Sequence, residues 1–312
     1  MAKNQWKGFA IKAIVFLIII VCVDILVGKT YKKLEDITVE RAPFGMVTEY
    51  TMWKVNTDMV IIGASEACHS YIPSLLEDSL GLSVYNCGKD GCRFYYQNAM
   101  INGILDRYSP KIILWSISPG ELSTPSQKDR DNLSQLNPFY DENEFCRQAL
   151  RTKSKYEPVK LLSKSYSYNS QLFRYLFLIK SDYPYEKGGY APLYGTLDAK
   201  DITNRSWEDN YYDATIQEVF SNTLDRCTQQ GVQVICVFTP RYENEIHEDL
   251  FSYQQLKPVL SEKGVPLVED LYHDAALMNS ECFKDNAHLN HKGAILFNKK
   301  LSKIIKEILQ RS

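Results

Sequence analysis

Short apolar runs closed by glycine or proline punctuate this chain from residue 59 onward, with stretches of helical apolar spacing between them. Met59-Val60-Ile61-Ile62 ends at Gly63 and has the composition of a strand buried on both faces. Residues 82–86 stop short of Gly88, residues 111–117 form a third run, residues 232–238 stop at Pro240, and residues 265–268 make a short fifth. Residues 71–80 read as a helix with Pro73 in its first turn and Gly81 near its end. Residues 94–108, 215–230, 251–263 and 293–309 read as further helices, the last amphipathic. Strands alternating with helices predict an α/β fold in which helices cover both faces of a parallel five-stranded sheet.

Two regions break the rhythm. Residues 9–27 are apolar except for Lys12 and Asp24, and their nineteen residues approach the length that crosses a bilayer. An uncleaved transmembrane anchor is the expectation for residues 1–33, with residues 34–56 as a linker or stalk. A cleaved signal peptide is the competing reading, but Gly28-Lys29-Thr30-Tyr31 makes a poor cleavage site. Lysines flank the run on both sides, so the positive-inside rule is nearly balanced. The short N-terminal tail favours a single-pass protein with its large domain outside the cytoplasm. Residues 121–212 are the second break, an insertion that holds 11 of the chain's 21 tyrosines and one short apolar helix candidate, Gln171–Lys180. Such tyrosines either stack on sugar rings or pack the insertion onto the main domain, 57–312.

Charge and cysteines narrow the classes. Six lysines against Asp24 leave +5 on residues 1–33 and −7 on the remainder of a chain whose net charge is −2. That is not the basic footprint of a nucleic-acid binder. The eight cysteines include no Cys-x-x-Cys pair, and nothing else has metal-ligand spacing, so neither metal nor cofactor is expected. The first strand–helix turn lacks both the Gly-x-Gly-x-x-Gly pattern and a P-loop lysine.

Candidate chemistry lies at strand ends, where open parallel sheets bind ligands. Ser65 follows the first strand, Asn86 and Gly88 the second, Arg241 and Tyr242 the fourth, and Asp285 and His288 the fifth. Serine, histidine and aspartate are the parts of an activated hydroxyl nucleophile: attacker, general base, and the group that orients the base. The amides of Ser65 and Gly88 are the expected oxyanion donors, and Asn86, Arg241 and Tyr242 the expected substrate contacts. Each residue also has a plainer reading. Ser65 or Asp285 can cap a helix, Glu66 can favour a helix N-terminus, and His291 is a rival base three residues past His288.

Gly63-Ala64-Ser65, Asn86-x-Gly88 and Asp285-x-x-His288-Leu289-Asn290-x-x-Gly293 resemble three blocks of the SGNH (GDSL-type) hydrolases. The similarity covers about residues 57–120 and 213–310. It implies a flavodoxin-like, three-layer α/β/α domain with serine esterase or acyltransferase activity. The aspartate of the family's first block is Ala64 here, and Ser116-Ile117-Ser118-Pro119 stands where the family has Gly-x-Asn-Asp, whose asparagine helps bind the oxyanion. The anchor together with Leu114-Trp115-Ser116-Ile117-Ser118-Pro119 also resembles membrane-anchored cell-envelope acyl-transfer proteins of the D-alanyl transfer type. That resemblance implies an acylated glycan or acyl donor as substrate and a multi-spanning membrane acyltransferase as partner. A catalytically weak glycan-binding or assembly protein on the same fold is the alternative.

Overall fold

The computed structural model describes residues 2–168, 171–180, 188–202, 212–242 and 250–311. The chain opens with α1 (Ala2–Arg41) and a short helix, α2 (Val47–Trp53). The sheet core follows as β1 (Met59–Ile62), α3 (Ser65–Ser70), α4 (Pro73–Leu80), β2 (Val84–Asn86), α5 (Phe94–Leu105) and β3 (Ile112–Ile117). The insertion contributes α6 (Gln127–Asn132), α7 (Glu144–Lys153), α8 (Glu157–Lys160) and α9 (Gln171–Lys180). The core resumes with α10 (Ala214–Gln229), β4 (Gln233–Phe238), α11 (Phe251–Glu262), β5 (Leu267–Val268) and α12 (His291–Arg311).

All five strands pair in parallel in the order β2-β1-β3-β4-β5. This is the flavodoxin-like order, and its topological switch lies between β1 and β3. Successive strand residues point to opposite faces, so the runs that read as continuously apolar split into two cores. Val60, Ile62, Ile113, Trp115, Cys236 and Phe238 pack with Phe220 of α10 and Leu256 of α11 on one face. Ile61, Leu114, Ile235 and Val237 pack with Leu76 of α4 and with Phe297 and Leu301 of α12 on the other. Burial on both faces explains why these strands carry no polar alternation.

Two expectations are corrected, and an alternative left open by the sequence is narrowed. Residues 34–56, expected as a linker or stalk, are packed into the fold: α1 runs on to Arg41, and Val39, Met46, Val47, Met52 and Val55 are buried. Met52 fits directly against Gly103 of α5, where a Cβ would come within 2.4 Å of its sulfur. The helix expected at 71–80 starts at Pro73 and is preceded by α3, which begins at Ser65. The insertion's tyrosines mainly pack: Tyr168, Tyr175 and Tyr190 are buried, whereas Tyr156 and Tyr194 are exposed. Tyr183, Tyr185 and Tyr211 lie outside the described residues. All eight cysteines are free thiols, and only Cys22 is exposed. Among the described residues, α1 is the one helix long and apolar enough to cross a membrane, and its most apolar window is not buried in the protein at all.

Candidate active site

β1 delivers the chain to Gly63, where any side chain would collide. A Cβ there would lie 2.6 Å from that of Ala67 and 2.8 Å from that of Ser116. This close approach lets α3 start at once, with Ser65 as its first residue. Serine is not the cap of this helix: Ala64 holds the capping position, and no side chain caps the terminus. The hydroxyl is turned instead toward His288, with Oγ 2.7 Å from Nε2.

His288 comes from the loop between β5 and α12, pinned by an antiparallel bridge between Phe283 and Leu289. Asp285 Oδ1 accepts the amides of Ala287 and His288 at 2.8 and 3.0 Å, folding the loop into a tight turn. The same carboxylate meets Nδ1 of His288 at 2.9 and 3.0 Å. Because Nδ1 faces only acceptor oxygens, it carries the proton, which leaves Nε2 of the neutral ring to accept from Ser65. Partial burial works against the Asp285 charge, but the His288 ring and the two amides outweigh it and hold the pKa down at about 2. Capping of α12 belongs to Asn290, whose Oδ1 accepts from the amide of Gly293 at 3.0 Å. Its amide group also donates to the carbonyls of Gly195, Glu281 and Phe283. Gly293 is required because a Cβ there would lie 2.1 Å from the carbonyl oxygen of Cys282. His291 does not compete as a base: its Nδ1 pairs with the Tyr190 hydroxyl at 3.0 Å, against the insertion.

A cavity of about 490 Å³ opens beside Ser65 and His288. Its walls include Arg93, Gln97, the 116–121 segment after β3, Thr239 and Arg241. Ser116 and Thr239 line it and form a buried hydroxyl chain with Tyr71, at 2.8 and 2.9 Å. Glu66 and Arg241 pair in the cavity lining beside Ser65, whose Oγ lies 3.3 Å from Glu66 Oε2. Burial would raise the Glu66 pKa, but the Arg241 and Arg93 guanidiniums bring it below the ordinary glutamate value. Glu121 is buried in the cavity lining, where desolvation pushes its pKa up. The amide and hydroxyl of Ser118 donate to its Oε2, and among the described residues Oε1 has no hydrogen-bond partner.

Of the expected substrate contacts, Arg241 lines the cavity and the other two do not. Asn86 is fully buried: its Nδ2 donates to the carbonyls of Ala67 and Tyr71 at 2.8 and 2.9 Å. Its Oδ1 takes the amide of Gly88 at 2.9 Å. The expected oxyanion donor at Gly88 is thus committed within the fold. Tyr242 sets its ring edge-on to Phe283, with centroids 5.3 Å apart, and its amide donates to the carbonyl of Asn286. Arg93 and Glu121 were missed by sequence reasoning, since nothing in their spacing marks them and the fold alone brings them to the cavity.

His69 lies next to the site, its ring edge-on to that of His288 with centroids 5.5 Å apart. With Cys68 and Asp90 it forms a group whose donor atoms lie within 4.8 Å of one another, close enough for a metal ion. Both ring nitrogens of His69 are occupied, however, Nδ1 by the Ala191 carbonyl at 2.7 Å and Nε2 by Asp90 at 3.0 Å. A metal ligand needs a lone pair on one nitrogen, so a metal would have to displace one of these partners.

No protein-family model matches this chain, and none of the curated proteins does. Among solved structures it is similar to a lipase/acylhydrolase from Enterococcus faecalis, at 13% identity and a TM-score of 0.39 over 80% of this chain and 95% of that one. It is also similar to a gut microbial diltiazem-metabolizing enzyme, at 10% identity and a TM-score of 0.39 over 78% of this chain and 46% of that one. Likenesses this distant carry no argument about chemistry.

Proposed function

We propose that this chain is a membrane-anchored serine esterase or O-acyltransferase of the SGNH type, working through an acyl-Ser65 intermediate. The observation that carries the reading is the unbroken relay from Ser65 Oγ through both nitrogens of His288 to Asp285. In the first half-reaction the Ser65 hydroxyl passes its proton to Nε2 as Oγ bonds to the ester carbon. The carbonyl electron pair moves onto oxygen, and its return expels the alcohol, which takes the proton from His288. Water, or the hydroxyl of an acceptor, then repeats these steps on the acyl-serine, and the proton ends on Ser65. Asp285 stays ionised and steadies the imidazolium. At the first position of α3, the Ser65 amide belongs to the helix-terminal donors that have no carbonyl within the helix, and it is suited to the oxyanion.

The substrate class rests on the sequence resemblance: a short acyl ester on a cell-envelope glycan. The apolar stretch of α1 supports a membrane anchor; a domain outside the cytoplasm rests on the short N-terminal tail, and membrane-bound acyl donors with a multi-spanning acyltransferase partner rest on the sequence resemblance. One observation favours a second reading. With the Gly88 amide committed to Asn86, the oxyanion site has fewer donors, as suits a catalytically weak glycan-binding protein. A fluorophosphonate probe and p-nitrophenyl acetate separate the two readings on the full-length protein in detergent. The enzyme reading expects labelling and turnover that vanish in Ser65→Ala and His288→Ala. A wild type that neither labels nor turns over, yet retains acylated glycan, would favour the binding protein.

A further inference from the structure

Asp24, which looks like an interruption of the apolar run, is where the insertion grips α1. Its carboxylate accepts the Ser163 hydroxyl at 2.6 Å and the amides of Lys164 and Ser165 at 2.7 and 3.0 Å. Gly28, one turn later, lies directly against this loop: a Cβ there would come within 2.5 Å of that of Lys164. Residues 163–165 therefore sit at the depth of the last apolar turn of α1. If α1 spans a bilayer, they sit at its surface.

The turn that precedes this grip faces outward with apolar side chains. Tyr156, Val159 and Leu162 are 60%, 67% and 76% exposed, at a spacing of three that puts them on one side, while Glu157 and Leu161 turn inward. Lys155, Lys160 and Lys164 are exposed around them. Lys160 and Lys164 pair with Glu157 and Asp141, yet each keeps more than two-fifths of its side chain in solvent. An apolar tip ringed by lysines matches the boundary between acyl chains and anionic headgroups.

We propose that the turn around α8 is a membrane foot, in which Val159 and Leu162 enter the headgroup boundary and the lysines meet lipid phosphates. The proposal rests on the reading of α1 as a membrane span. It does not extend to the exposed apolar side chains Phe173 and Phe177 on α9. That helix meets α1 at Glu35, through the Tyr175 hydroxyl, eleven residues beyond Asp24. At the helical rise this is about 16 Å farther from the bilayer. The foot would fix the tilt of the domain and hold the Ser65 cavity at a set height above the membrane.

The test uses the full-length chain in phosphatidylglycerol–phosphatidylcholine vesicles, in a Cys22→Ser background because the other native cysteines are buried. An environment-sensitive fluorophore is placed in turn at Leu162→Cys, Phe173→Cys and Leu17→Cys, and quenched by nitroxide lipids. The proposal expects strong quenching at 162 by headgroup-level nitroxides, little at 173, and quenching at 17 by acyl-chain nitroxides. Replacing Lys155, Lys160 and Lys164 together by Gln should weaken the signal at 162. If 17 is quenched but 162 is no more quenched than 173, the foot is overturned and the span survives. This is also the result that a protein occupant of the patch would give in these protein-free bilayers. If 17 escapes quenching, the span reading falls and takes the foot with it.

Discussion

The amide of Gly88 donates to the side-chain carbonyl of Asn86, 2.9 Å away, so the two residues bracket the end of β2 onto α3. Their spacing carries a genuine signal, but it concerns packing. A Cβ on Gly88 would lie 2.5 Å from the amide nitrogen of Cys68. Gly88→Ala is expected to cost about 1–3 kcal/mol through overpacking. Asn86→Ala, which strands buried backbone groups, should cost about 2–4 kcal/mol. Chemical denaturation checks both values. In each variant the fraction that remains folded should keep the wild-type KM. A raised KM at unchanged stability would restore Asn86 as a substrate contact.

Asp285 offers a cleaner test of the relay. Asp285→Asn preserves shape but no longer demands a proton on Nδ1, so His288 can present the wrong tautomer to Ser65. Turnover is expected to fall by about 10²–10⁴-fold with little change in KM, less than at a fully buried triad because this carboxylate is half exposed. Since the carboxyl pKa is held down at about 2, its own protonation should leave no mark on a pH–rate profile between pH 4 and 9. Steady-state kinetics with p-nitrophenyl acetate across that range gives the answer.

What could be read from sequence follows from how local each signal is. The strands were legible because both-face burial writes an unbroken apolar run, and Asp285 and His288 because one tight turn carries both. Residues 34–56 were not, because Glu35, Thr38, Thr48 and Glu49 are buried polar residues that look like surface in the sequence. α3 was missed because it is six residues long and starts without a capping side chain. The pairing of Glu66 with Arg241 joins residues 175 apart in the chain, and no spacing rule reaches across that distance.

That pair makes its own prediction. Glu66 is largely enclosed, so Arg241→Met leaves a carboxylate without its main counter-charge and should cost about 2–3 kcal/mol near neutral pH. The sign of the pH dependence follows from the lowered Glu66 pKa. Stability from the pair is present above the unfolded glutamate value near 4.3 and is lost as pH falls through the lower folded value. Urea unfolding of wild type and variant should therefore show a gap that is full at pH 7 and shrinks below pH 4. An unchanged gap at pH 3 would place the loss in packing rather than charge.

His69 runs the opposite way. Burial disfavours its charge, but the hydrogen bonds from its ring to Asp90 and to the Ala191 carbonyl win, and its pKa is raised. Both contacts require ring N–H donors, so the bonded form is the imidazolium. A raised folded pKa stabilises the protein fully below the unfolded value near 6.5 and loses that contribution as pH rises through the folded value. His69→Gln can keep at most one of the two bonds and has no charge to titrate. Its deficit in melting temperature should therefore be largest near pH 5.5 and smaller by pH 9. The partner change Asp90→Asn should flatten the same profile, because Asp90 supplies the largest favourable contribution to the charged ring. A pH-independent deficit in His69→Gln would mean that the ring is held neutral, and would reopen the Cys68–His69–Asp90 group as a place where a metal could bind.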